Sequence, residues 1–110
     1  MIIYHITSRF DFQSQQQYLS FESSSLRTEG FIHCSTKEQV MNVANRLFHG
    51  QPNLLLLCID EDLIDCEIKY ENLEGGELLF PHIYGAINRL AIVEVMDLIC
   101  TSKGNFVFPK

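Results

Sequence analysis

No stretch of this 110-residue chain approaches the ~20 consecutive apolar residues of a membrane span. The N-terminus carries neither a basic lead nor a small-residue cleavage site, so no export signal is expected and the chain is placed in the cytoplasm. Bases are scarce: eight Lys and Arg stand against fourteen Asp and Glu, a net charge of −6. Eight of those acids lie between Asp60 and Glu77, with Lys69 the one base among them. That distribution excludes a duplex nucleic-acid surface, which needs clustered Lys and Arg, but not a small anionic ligand held by one or two local donors. The four cysteines, Cys34, Cys58, Cys66 and Cys100, form no C-x-x-C pair. Three of them sit in apolar runs, which points to free buried thiols rather than a zinc ribbon. The histidines show neither H-x-x-x-H nor H-x-H spacing, so no metal site is expected. There is no internal repeat and no linker, and residues 1–110 read as one compact domain.

What the chain does contain is a series of short apolar segments. Met1 to Thr7 reads as a strand with Ile3, His5 and Thr7 on one face, leaving a polar pair at the end of an apolar strand. Ser8 to Leu19 is expected to hold a short helix capped by Asp11, with Phe12, Tyr18 and Leu19 as its apolar stripe. Ser20 to Thr28 reads as loop. Gly30 to Cys34 is a second strand running into a helix. Ser35 and Glu38 there have capping-box spacing, which places His33 beside free amides and a positive dipole end. That helix carries Val40, Ala44, Leu47 and Phe48 at helical spacing and stops at Gly50 and Pro52. Leu54 to Asp60 is a continuous apolar run, expected as a central strand buried on both faces. A turn capped by Asp60 and an edge strand at Cys66 to Tyr70 follow. Asn72 to Arg89, with Gly75-Gly76 and Phe80-Pro81-His82-Ile83-Tyr84-Gly85, reads as a long functional loop. Strands at Leu90 to Cys100 and Asn105 to Phe108 complete an α+β pattern.

His5, His33 and His82 occupy comparable places, and together they form a candidate site if the first two strands are neighbours. His49, at a helix C-terminus, is structural. Cys34 faces away from His33 on adjacent strand positions, which argues against a Cys–His nucleophile. Arg46 on the strong helix and Arg9 after the first strand can each reach an anion. Phe80, Ile83 and Tyr84 allow a different reading, an exposed anchor patch of a protein-interaction domain.

The ordered set Ile3-Tyr4-His5-Ile6-Thr7, Ser25-Leu26, Glu29-Gly30-Phe31-Ile32-His33-Cys34-Ser35, Ala44-Asn45-Arg46-Leu47-Phe48, Ile59-Asp60 and Phe80-Pro81-His82-Ile83-Tyr84-Gly85 resembles domain-of-unknown-function family 952, a group of short, mostly bacterial proteins. That family in turn is similar to the ADP-ribosyltransferase superfamily, nearest the NAD-dependent tRNA 2′-phosphotransferases, through Tyr4-His5-Ile6-Thr7 and His33-Cys34-Ser35. The resemblance implies an ADP-ribosyltransferase-like fold of two small packed sheets, one or two helices and a cleft for NAD, bound as a substrate rather than as a resident cofactor. It implies that His5 and Thr7 hold the nicotinamide side and that His33 and Ser35 line the cleft. Phosphates would lie near the helix start or an arginine. On the reading of an NAD-directed enzyme, His5, His33 and His82 are the candidate catalytic residues, His82 as acid or base on a loop that could close, and Thr7, Ser35, Arg46 and Tyr84 are the candidate ligand contacts. No motif marks the glutamate many transferases carry; Glu71 and Glu77 are the candidates. The negative charge is unsuited to tRNA, and the resemblance names no protein acceptor. A module that binds a nucleotide or other small ligand without turnover fits the same residues.

Overall fold

The structure, a computed structural model, describes residues 1–109. Eight strands and three short helices follow one another as β1 (Ile2–Ser8), α1 (Arg9–Gln13), β2 (Ser20–Phe21), α2 (Ser24–Glu29), β3 (Ile32–His33), α3 (Lys37–Leu47), β4 (Leu54–Asp60), β5 (Ile68–Glu71), β6 (Phe80–Ile83), β7 (Ile87–Asn88) and β8 (Ile92–Leu98). They form three antiparallel sheets rather than two: β1-β4-β8, β2-β7 and β3-β6-β5.

The apolar run expected to be central is so. β4 lies between β1 and β8, and Leu54 to Ile59 are all buried. Its side chains alternate between two cores, as the pleat requires. Leu55, Leu57 and Ile59 join Ile3, Phe21, Ile32, Ile83 and Ile87 in a core that all three sheets enclose. Leu54, Leu56 and Cys58 join Tyr4, Ile6 and Leu98 in a second core, which α3 covers with Val40 and Ala44. Among the described residues the four cysteines are all free. No helix is long and apolar enough to cross a membrane.

Several local expectations are corrected. Ser8, not Asp11, caps α1 by accepting the Asp11 amide, and of its stripe only Phe12 is buried, Tyr18 and Leu19 being exposed. Ser20 to Thr28 is not loop. It holds β2 and most of α2, which Gly30 ends in the left-handed region at φ 89°. The α3 cap lies one residue later than Ser35: Gln39 Oε1 accepts the Thr36 amide at 3.0 Å. Ser35 is engaged elsewhere, exchanging two backbone bonds of 2.8 Å with Tyr4. Leu47 is exposed rather than part of the buried stripe. The long segment from Asn72 contains β6, the middle strand of its sheet, and β7.

Gly85 closes the Phe80–Gly85 segment where space decides the residue. A Cβ there would lie 2.8 Å from Cys66 Sγ and 3.0 Å from Cys66 Cβ. Gly85→Ala is therefore expected to destabilise by about 1–3 kcal/mol through overpacking. Urea unfolding checks this, and Cys66→Ala in the same chain should relieve most of the loss.

Candidate functional site

β1 and the residues just past β3 share one isolated backbone bridge, Tyr4 to Ser35. Alternate residues of a strand aim their backbone groups at the same edge. Ile6 therefore presents its N–H and C=O on the edge that carries the Tyr4 bonds, and among the described residues neither has a backbone partner. From this fork a cleft of about 560 Å³ opens between β1, α3, the start of α2 and the β3-β6-β5 sheet, a size typical of small-molecule sites.

His5, His33, His82, Thr7, Ser35 and Arg46 all line it, as do Ile6, Asp11, Glu29, Phe31, Glu71 and Glu74. Tyr84 does not line the cleft; it stands behind Glu71. Glu77 is exposed and outside it. The structure thus brings together His5, His33, His82, Thr7, Ser35 and Arg46, and leaves Tyr84, Glu77 and Arg9 outside.

Burial makes the cleft unusual. The buried polar side chains among the described residues are His5 (7% exposed), Thr7 (7%), Ser35 (5%) and His82 (5%), and all four face this one cavity. Among the described residues no protein group bonds the hydroxyls of Thr7 and Ser35 or Nε2 of His5 and His82. Yet no fully buried side-chain nitrogen or oxygen lacks a partner among the described residues. These four atoms therefore reach cleft water, holding hydrogen-bonding capacity that the fold itself does not use.

His5 is fixed by a backbone carbonyl, His33 and His82 each by a carboxylate. His5 Nδ1 donates to the His33 carbonyl at 2.6 Å, which leaves Nε2 as a lone pair. Burial pushes its pKa down to about 4, the carbonyl bond and the His33 ring acting more weakly, so His5 is neutral near pH 7. His82 Nδ1 donates to Glu71 Oε2 at 2.9 Å, and the Tyr84 hydroxyl donates to the same oxygen. Those bonds, Tyr84 first and His82 second, hold the Glu71 carboxyl below its usual range; the carboxylate in turn pushes the Tyr84 hydroxyl up to about 12. His33 is exposed, and its Nε2 donates to Glu29 at 3.1 Å. Phe31 stacks on His82 with centroids 4.2 Å apart and meets His33 at 4.8 Å.

Arg9 is paired with Asp97, away from the cleft. Cys34 is buried, and desolvation drives its thiol far above the usual range, which leaves it inert as a nucleophile. The anchor-patch reading fails at Ile83, which is wholly buried in the three-sheet core, with Phe80 and Tyr84 half-buried. No three His, Cys, Asp or Glu side chains converge as a metal site among the described residues. Glu29 and Glu71 are the histidines' partners, a role that sequence does not give them, although Glu71 stands there as a candidate transferase glutamate. Glu71 directly follows the expected edge strand Cys66 to Tyr70, but its place beneath His82 comes from the pairing of β5 with β6.

Residues 6–95 match the model of a family described as a protein of unknown function, DUF952. The chain is similar to the crystal structure of protein CC0527 from Caulobacter crescentus, with 31% identity and a TM-score of 0.86 over 97% of this chain and 94% of that one. It is similar to the solution structure of the same protein, with 32% identity and a TM-score of 0.82 over 94% and 90% of the two chains. No curated protein matches.

Proposed function

Since this chain belongs to the DUF952 family, whose description assigns no activity, its role must come from its cleft, and we propose that the cleft binds NAD or ADP-ribose in the manner of an ADP-ribosyltransferase-like protein. The observation that carries this reading is the confinement of every buried polar side chain among the described residues to one cavity, each with an unused polar atom. Because these atoms are open to solvent, a ligand rich in hydroxyls and amides can take the place of water on them.

The distribution of charge supports a dinucleotide. α3 begins beside Ser35, which bridges Tyr4, and ends before the turn to Leu54, which pairs with Ser8. It therefore runs along β1, and Arg46 in its last turn lies toward the Ser8 end as a cation of the cleft lining available to a pyrophosphate. Glu29 and Glu71 lie at the other end, with His33 and His82, where a positively charged nicotinamide ring or an oxocarbenium-like transition state is favoured. The free N–H and C=O of Ile6 complement a primary carboxamide, which has one donor and one acceptor to match. His5 Nε2, Thr7 and Ser35 suit ribose hydroxyls, His5 as an acceptor only.

Titration of isotope-labelled protein with NAD and ADP-ribose tests the reading. Resonances of His5, Thr7 and Ser35 should move, and Arg46→Ala should weaken binding roughly tenfold. Silence from those residues at millimolar ligand would overturn it. Shifts without any release of nicotinamide or other product would assign binding alone.

A further inference from the structure

Two of the cleft's histidines are built alike. His33 Nε2 donates to Glu29 at 3.1 Å and His82 Nδ1 to Glu71 at 2.9 Å. The two residues are direct register partners on β3 and β6, and their rings meet edge to face with centroids 5.3 Å apart over Phe31. Each carboxylate holds one ring N–H. The opposite nitrogen, Nδ1 of His33 and Nε2 of His82, has no partner among the described residues and is the one free to take or give a proton.

A pair of such groups exceeds what NAD cleavage demands. Nicotinamide leaves a cationic riboside as a neutral base and needs no proton, so at most one histidine has work to do. An alcohol leaving an O-linked riboside departs as an alkoxide unless it is protonated, and the attacking water must lose a proton as well. That reaction uses both groups.

Resting on the nucleotide reading above, we propose that the cleft hydrolyses an O-linked ribosyl conjugate: a nucleoside-diphosphate ribose joined through its anomeric carbon to an alcohol. The water oxygen bonds to the anomeric carbon while the bond from that carbon to the alcohol oxygen breaks, its electron pair going to the oxygen. One imidazolium gives that oxygen a proton, and the other imidazole takes the proton of the water. The products are the free alcohol and the ribose hydroxyl, and solvent returns the proton between the histidines. Glu29 and Glu71 are positioning residues that fix each ring by accepting one of its N–H groups. The other charged and titratable groups about the pair are Tyr84, which bonds Glu71, Lys69, which is opposite His82 in register with its Nζ over the Tyr84 ring, the neutral His5 behind His33, and Glu74 on the cleft wall.

The test uses the methyl and 4-nitrophenyl O-glycosides of ADP-ribose, with NAD for comparison. The full chain should release both alcohols, with a bell-shaped pH profile on the methyl glycoside. His33→Gln and His82→Gln should each lose about 10²-fold or more there. One of the two variants should keep 4-nitrophenyl release within about tenfold, because that phenolate leaves without a proton. Glu71→Gln, a change at a half-buried position, should lower the methyl rate and move one limb of the pH profile while the far-UV spectrum stays native, which preserves the test if His82→Gln fails to fold. Equal losses on both glycosides in every folded variant would overturn the proposal. So would an inactive chain that still binds ADP-ribose in the titration. Absence of ADP-ribose binding would remove the nucleotide reading itself, and this inference with it.

Discussion

Leu57→Ala is expected to destabilise the protein by about 2–5 kcal/mol. Leu57 is fully buried midway along β4, with His5 opposite it on β1 and Val95 on β8. Its side chain faces the core that all three sheets enclose, so no single element can move in to fill the space its loss leaves. In a domain this size the change should lower Tm by about 10 °C or more. Urea unfolding followed by circular dichroism measures it, with Leu73→Ala, an exposed leucine on the cleft rim, as the comparison expected within about 0.5 kcal/mol of the parent. Equal midpoints for the two variants would show that β4 is not the interior strand. Because His5 lies directly across from Leu57, the same substitution should also loosen the cleft wall.

Acid should weaken the fold through His5 well before carboxylates titrate. Its folded pKa is about 4, against 6.5 for the free side chain. Between those values the unfolded chain binds a proton that the folded chain refuses, so stability is full above pH 6.5 and falls as pH drops toward 4. The difference corresponds to about 3 kcal/mol by pH 4. Glu71, whose folded pKa is depressed, acts in the same direction but lower: its contribution holds above the ordinary carboxylate range and is lost as pH falls through and below it. The two are therefore separable by window. Unfolding free energies at pH 7, 6, 5 and 4 should decline in the parent, while His5→Asn, less stable at pH 7, should show a nearly flat profile over that range. A parent profile flat between pH 6.5 and 4.5 would mean that His5 is not buried in its neutral form. His5→Asn should also perturb the cleft directly, since the imidazole clamps the His33 carbonyl from across the fork.

The parts of the fold that sequence disclosed are those with a strong local period or none at all. The unbroken apolar run of β4 could only be a doubly covered strand, and the spacing of Val40 and Ala44 marked the buried face of α3. What sequence hid was set by partners distant in the chain. β6 contains Pro81, which ordinarily argues against a middle strand because it has no N–H to donate. Here Pro81 contributes its carbonyl to Cys34 at 3.0 Å, just where the two-residue β3 runs out, so the missing donor falls at the end of the ladder. α2 escaped notice because Ser23, Ser24 and Ser25 show no period. It is held instead by the Ser25 hydroxyl on the Phe31 carbonyl and by the left-handed turn at Gly30. The cap on α3 was misplaced by one residue because the bridge to Tyr4 occupies Ser35.

The site divides in the same way. The two-residue period of β1 put His5 and Thr7 on one face, and the strand-to-helix corner put His33 and Ser35 close together in sequence. The pairing of His33 with His82, and the role of Glu71 beneath His82 and Tyr84, are matters of register between β3, β6 and β5. No spacing along the chain encodes that register.

The fork between β1 and β3 has one more consequence. The two walls share one backbone rung, the Tyr4–Ser35 exchange, beside the His5 side-chain bond to the His33 carbonyl, and among the described residues the next backbone rung is vacant on the β1 side at Ile6. A molecule that bonds Ile6 and also reaches the opposite wall adds that rung, so that gripping the guest and stitching the two sheets together become one act. Guests that lean on one wall alone forgo that bonus. The opening therefore sorts by span as well as by chemistry, admitting most favourably whatever is long enough to be shared.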